Sequence, residues 1–190
     1  MSATKFGIAA ASAIIAAGPT FAQEFYYGGS LGLGTADSDT GFAFSGSDDT
    51  SAIALFAGAR FQLDPVNSGG LYAGVEAEIF RATGHGGSLF DDFEEMDDVV
   101  TGIQGELHLG YSVDTMRFYG FIGRGSANIG GRWVYDDSPS SKIHGVGAEF
   151  DIGQKMAVRV EHAITKMHVD ACSSYDVKRR DTSVGLVIEF

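Results

Sequence analysis

Hydrophobic and polar residues alternate along most of the chain after residue 25, and clusters of glycine, aspartate and serine interrupt the alternation. A period of two is typical of β-strands, whose successive side chains point to opposite faces, and no long stripe of helical period is present. Most alternating segments have about 11 residues, which suits a tilted strand that crosses a membrane. Eight strands are predicted, at residues 25–35, 51–63, 71–82, 98–113, 117–127, 141–151, 155–165 and 180–190.

The connections between these segments alternate in length. Three are short, at residues 64–70, 114–116 and 152–154. Four are long and polar, at residues 36–50, 83–97, 128–140 and 166–179. Membrane barrels have short turns at the periplasmic rim and long loops outside. The pattern therefore predicts an all-β fold, an eight-stranded antiparallel up-and-down transmembrane β-barrel with both termini in the periplasm and acidic loops at the cell surface.

One face of each predicted strand is almost purely apolar, as at the alternate positions from Leu71 to Ile79. In a transmembrane barrel this face contacts lipid. Aromatic residues on it fall near the short-turn ends, where they are predicted to form a girdle at one membrane interface. The predicted girdle residues are Tyr27, Phe61, Tyr111, Tyr119 and Phe150.

The opposite face carries charged residues and many glycines, and it is predicted to face the lumen. An eight-stranded barrel is narrow enough for side chains to fill it. Because an isolated buried ion is costly, the lumen arginines and glutamates should pair with one another. The predicted network consists of Arg60, Glu76, Glu78, Glu106, Arg124, Glu149, Arg159 and Glu161. The alternative is a narrow pore, in which the excess of glutamate would favour cations weakly.

The first residues have the order of a secretory signal peptide, with Lys5 before an apolar run at 6–18 and a predicted cleavage site at Ala22. The apolar run is too short for a membrane-spanning helix. We therefore expect residues 1–22 to be cleaved and residues 23–190 to form one barrel domain.

Charge and cysteine content exclude some classes of protein. The net charge of −12 argues against nucleic acid as a partner, and the triplet 178–180 is predicted to be a solvated loop. The single cysteine, Cys172, excludes an intramolecular disulfide and is expected to be a free thiol, although it could cross-link to a partner. No cofactor is expected.

An acidic run at residues 91–98 is the densest charge feature of the chain. Its oxygen ligands suit Ca²⁺ or Mg²⁺, but the spacing does not match an EF-hand loop. A solvated loop is the favoured interpretation and metal binding the weaker one. The candidate ligands are Asp91, Asp92, Glu94, Glu95, Asp97 and Asp98.

The closing segment 182–190 resembles the C-terminal strand of bacterial outer-membrane proteins, with apolar residues at Val184, Leu186, Ile188 and the final Phe190. In those proteins this strand is the signal for the barrel-assembly machinery. The chain as a whole resembles the OmpA-like and opacity-protein-like small surface barrels, and segment 158–165 is similar to their penultimate strand.

This resemblance implies a monomer in the outer membrane of a Gram-negative cell. The implied partners are membrane lipid and lipopolysaccharide, the assembly machinery and periplasmic chaperones. An extracellular ligand is possible, but the sequence identifies none.

Three functions remain open from the sequence. The first is a structural or surface-interaction role, such as envelope integrity or adhesion, and the second is a small low-conductance pore. The third is a lipid A-modifying hydrolase, since the outer-membrane lipid A deacylases carry a His with a Ser two residues later. His162 has the right orientation, but Ile164 stands at the nucleophile position. We therefore expect that the protein is not an enzyme.

Overall fold

The computed structural model describes residues 23–39, 45–63, 69–85, 99–130, 140–169 and 175–190. The predicted leader, the acidic run at 91–98 and Cys172 lie outside these ranges. Within them, no helix is long and apolar enough to cross a membrane.

Eight antiparallel strands form a closed barrel in which each strand pairs with its neighbour in sequence and the last pairs with the first. The predicted fold class and number of strands are confirmed. The strands are β1 (Gln23–Asp39), β2 (Ser45–Gln62), β3 (Gly69–His85), β4 (Val99–Val113), β5 (Met116–Gly130), β6 (Ser140–Gly153), β7 (Met156–Val169) and β8 (Tyr175–Glu189).

The strands extend further toward the long-loop rim than predicted. Pairing between β1 and β2 continues up to Asp39 opposite Ser45, so most of the predicted loop 36–50 is strand. Segment 178–180 likewise lies in β8 and not in a loop, which corrects that prediction. Aspartate and lysine are depleted in strands, but β-propensity depends on context, and strands that are already aligned can continue their backbone ladder through such residues.

The barrel interior contains aromatic rings that pack over glycines. Each of six inward rings lies directly opposite a glycine of the neighbouring strand, and a Cβ atom on that glycine would collide with the ring. These rings therefore fit in the lumen because the residues opposite them are glycines, which have no Cβ atom. The pairs are Tyr26–Gly58, Phe56–Gly28, Tyr72–Gly110, Phe80–Gly102, Tyr119–Gly147 and Phe121–Gly145.

The predicted orientation of β5 is wrong. Tyr119 was expected in the outward girdle, yet it is buried in the lumen with Phe121, whereas Phe118 and Ile122 are exposed on the outside. Apolar residues occupy both faces of this strand, so alternation does not fix its phase. The other predicted girdle residues are exposed or partly exposed and share the short-turn end with Phe25, Phe118 and Phe190.

Substituting an inward glycine should destabilise the barrel. In Gly58→Ala the new Cβ would lie 2.5 Å from the Tyr26 hydroxyl oxygen and 2.6 Å from the Val75 carbonyl oxygen. Overpacking of this kind costs on the order of 1–3 kcal/mol. The control is Gly120→Ala on the outward side, where the nearest atom would be 3.8 Å away. Urea unfolding in lipid vesicles, followed by the heat-modifiable gel shift, should separate the two variants; equal stabilities would contradict this packing.

Candidate functional site in the barrel lumen

A buried carboxylate on β6 is the centre of the lumen charges. Glu149 is 0 % exposed, and strand pairing places Arg117 of β5 and Arg159 of β7 on either side of it. Arg159 donates from Nε to Glu149 Oε1 at 2.9 Å, and Arg117 donates to Oε2 at 3.4 Å. One carboxylate thus links three neighbouring strands.

Two ion pairs cross the barrel from side to side. Arg60 of β2 donates from Nη2 to both carboxylate oxygens of Glu149, at 2.6 and 2.5 Å. Arg159 of β7 donates from Nη1 to both oxygens of Glu76 on β3, at 3.0 and 2.8 Å. Each pair joins strands four positions apart in the closed ring of eight, so the two pairs bridge opposite walls.

Aromatic rings cover the two arginines that cross the lumen. The Arg60 guanidinium lies 4.0 Å from the centre of the Tyr26 ring, and that of Arg159 lies 4.1 Å from the Phe56 ring centre. Cation–π contacts are strongest where water is excluded, and both arginines are buried. The rings therefore both stabilise the charges and close the space around them.

A second group of ion pairs lies at the short-turn rim. Arg117 Nη1 donates to Asp151 at 2.8 Å, and its Nη2 lies 2.9 Å from Glu189. Arg60 Nη1 contacts Glu24 at 2.8 Å and Glu189 at 3.3 Å. Arg60 and Arg117 thus form ion pairs both with the buried Glu149 and with carboxylates at the short-turn rim.

Arg124 does not belong to the network, contrary to the prediction. Its side chain is exposed on the outward surface, opposite Gly105 of β4 and Lys142 of β6. Arg117 occupies the lumen position on β5 instead. The cause is the same error of phase that placed Tyr119 outside, since residues 117 and 119 share one face and residue 124 lies on the other.

Carboxylates outnumber cations in the rest of the described lumen. Gln104 bridges Glu78 and Glu106 by hydrogen bonds of 2.9 and 3.0 Å, and His108 Nε2 lies 3.0 Å from Glu106 Oε2. The Tyr119 hydroxyl donates to Glu161 at 2.6 Å. The amide and imidazole, which alternation places on the lumen face, thus satisfy Glu78 and Glu106, and the Tyr119 phenol adds a hydrogen bond to Glu161, which also lies 3.7 Å from Arg159.

Glu76, Glu106 and His108 form a buried group whose ligand atoms lie within 4.8 Å of one another. Two carboxylates and an imidazole are a donor set that several divalent metals accept. However, both oxygens of Glu76 already accept hydrogen bonds from Arg159, and His108 is bonded to Glu106. A metal ion would have to break both interactions.

The predicted assembly signal and His162 lie on the lipid-facing surface. Val184, Leu186 and Phe190 of the closing segment are exposed on the outside, and Ile188 is partly exposed. His162 is also exposed, with Nδ1 3.1 Å from the Thr182 hydroxyl oxygen on β8.

A closed barrel with an apolar outer surface and ion pairs inside defines an integral outer-membrane β-barrel protein. The chain belongs to the outer membrane protein beta-barrel domain family, whose model matches residues 7–190. The predicted resemblance to small outer-membrane barrels and the outer-membrane location are thereby confirmed.

Solved structures of small barrels are similar to the chain. Neisserial surface protein A matches with a TM-score of 0.50 and 12 % identity, over 87 % of this chain and 97 % of its own. The attachment invasion locus protein Ail of Yersinia pestis matches with a TM-score of 0.47 and 16 % identity, over 88 % and 99 %. OprG of Pseudomonas aeruginosa matches with a TM-score of 0.43 and 12 % identity, over 90 % and 97 %.

At these identities the likeness concerns the fold alone. No curated protein matches the sequence.

Removing Glu149 should destabilise the barrel strongly. In Glu149→Ala three arginines lose their shared partner, and breaking a buried ion pair costs about 3–5 kcal/mol. Glu24→Ala is the control, because the Glu24 side chain is 38 % exposed and contacts the same Arg60. Its loss should cost at most about 1 kcal/mol. Both values follow from urea unfolding in vesicles, and a cost for Glu149→Ala no larger than that for Glu24→Ala would contradict the central role of Glu149.

Proposed function

We propose that the protein is a closed, non-conducting barrel with a structural or surface-interaction role in the outer membrane, and that it is not an enzyme. The observation that carries this proposal is the sealed middle of the lumen. Tyr26, Glu76, Tyr119, Glu149 and Arg159 are each at most 5 % exposed, although all five point into the barrel. A pore needs a continuous water path, which would leave such side chains hydrated.

The sealing groups come from opposite walls, which also supports a closed barrel. The ion pairs Arg60–Glu149 and Arg159–Glu76 each cross the lumen. Opening a path between them would separate buried charges, and this is costly in a low-dielectric interior. Because the lumen side chains stabilise the barrel, we assign the recognition of external molecules to the loops. Loops tolerate sequence change and carry function on rigid scaffolds.

A small cation-preferring pore is the second candidate. Glu78, Glu106 and Glu161 line the lumen beside a single nearby arginine, Arg159. If Tyr119, which donates a hydrogen bond to Glu161, moved aside, this acidic wall would attract cations.

The outward histidine gives little support to a hydrolase. Nucleophilic catalysis requires a base that is oriented by a third group. Among the described side chains, the hydrogen-bond partner of His162 is Thr182, and no carboxylate lies on the outward side of β7 or β8 near them.

The partners we propose follow from the lipid-facing surface. The outward row Val184, Leu186, Ile188 and Phe190 on the closing strand fits recognition by the barrel-assembly machinery, after delivery by periplasmic chaperones. Lipid and lipopolysaccharide then surround a monomer, and an extracellular ligand would meet the loops.

Single-channel recording tests the closed lumen. The folded protein in a planar bilayer should show no conductance steps, whereas Tyr72→Ala/Tyr119→Ala should, because these two rings belong to one buried cluster in the lumen. The control is Tyr27→Ala/Tyr111→Ala, which removes two exposed outward rings and should stay silent. The heat-modifiable gel shift verifies folding of each variant. Regular steps from the unmodified protein would favour the pore, and release of acyl chains from lipid A would favour the enzyme.

A further inference from the structure

Four basic side chains lie next to one another on the outward surface of β5 to β8. Arg124, Lys142 and Lys166 are exposed, and Lys178 is partly exposed. Neighbouring strands are about 4.8 Å apart, so the four positions span roughly 15 Å. Strand pairing places them in one line, here called the basic row: Arg124 opposite Lys142, Lys142 opposite Lys166 and Lys166 opposite Lys178.

Within the described residues, Arg124, Lys142 and Lys166 have no acidic side chain opposite them, whereas Lys178 lies opposite Asp37 of β1. No described acidic side chain lies on the outward side of β5 to β8, and none of the four forms an ion pair there. By contrast Arg180, one step further along the outward side of β8, pairs with Asp37 of β1. Like charges directly opposite on adjacent strands are destabilising. Four in a line, whose one described acidic neighbour, Asp37, is already paired with Arg180, therefore favour an external anion in a chain of net charge −12.

The basic row marks one edge of the lipid-facing band. Along β7 the outward residues run from Met156 through Val160 and Ile164 to Lys166, and along β6 Lys142 follows His144 at the corresponding end. The aromatic girdle lies at the other end of the strands. Lysine and arginine at such an edge can keep their alkyl chains on apolar surface while the charged groups reach the headgroups.

The geometry points to a binding surface for a phosphorylated lipid of the outer leaflet. The basic row binds the phosphate groups of the lipid through charge-assisted hydrogen bonds. The acyl chains lie on the exposed valines below the row, at Val146, Val160 and Val184. Ile122 and Ile164, the next outward residues below Arg124 and Lys166, join the row to this apolar surface, which selects a lipid over a soluble anion; lipid A of lipopolysaccharide belongs to this class. The inference makes the proposed lipid contact specific and does not depend on whether the lumen conducts.

Binding of lipid A to the folded protein in neutral detergent micelles tests the proposal. The probes are bisphosphorylated lipid A and its dephosphorylated form, and the readout is the dissociation constant. Lys142→Gln/Lys166→Gln removes the middle of the basic row. Arg81→Gln/Lys155→Gln is the matched control, because it removes two exposed charges elsewhere, on β3 and in the turn before β7.

The basic-row variant should bind bisphosphorylated lipid A at least tenfold more weakly, since each charge near an anionic headgroup contributes about fivefold. The control should change binding less than about twofold, and dephosphorylated lipid A should not distinguish the variants. Equal loss in both variants, or no loss, would overturn the proposal. So would displacement of the lipid by low millimolar inorganic phosphate, which would indicate a simple anion site.

A wild-type measurement covers the case in which the variant does not fold. Binding to bisphosphorylated lipid A should weaken steadily with ionic strength, because exposed charges are screened. Salt-independent binding would contradict the role of the basic row.

Discussion

The neutralisation of Glu149 is the interaction on which the barrel interior depends. This carboxylate is buried between Arg117 and Arg159 on the adjacent strands, and it also receives Arg60 from the opposite wall. A buried charge that lost its partners would be costly, so the three arginines and the carboxylate stabilise one another only as a group. The closed lumen that we propose rests on this group, because the side chains that satisfy Glu149 cross the space through which water would pass.

Aromatic rings complete this arrangement by excluding water from the ion pairs. Tyr26 and Phe56 cover the guanidinium groups of Arg60 and Arg159, and each ring lies over a glycine of the next strand. The packing of the rings therefore requires these glycines, and alternation alone does not reveal that requirement. On the outer surface, aromatic residues lie at one edge of the lipid-facing band and the basic row lies at the other.

The parts of the fold that sequence predicted are those where one face of a strand is charged. Glu76, Glu149 and Arg159 fix the phase of β3, β6 and β7, because placing them in lipid would be costly. On β5, apolar residues occupy both faces, so Tyr119 and Arg124 were both assigned to the wrong side. The glycines at 145 and 147 of β6 indicate the correct orientation of β5, since they lie opposite the inward rings of Phe121 and Tyr119. The cross-barrel partners were not predictable, because they depend on closure of the ring and not on local pattern.

A double-mutant cycle between Arg60 and Glu149 tests the central claim most directly. Arg60→Met, Glu149→Met and the double variant would be compared with the unmodified protein by urea unfolding in vesicles. A buried, doubly hydrogen-bonded pair should give a coupling free energy toward the upper end of the range of about 0.5–3 kcal/mol seen for contacting residues. A coupling near zero would mean that the two groups do not interact across the lumen, and it would contradict both the network and the closed interior built on it.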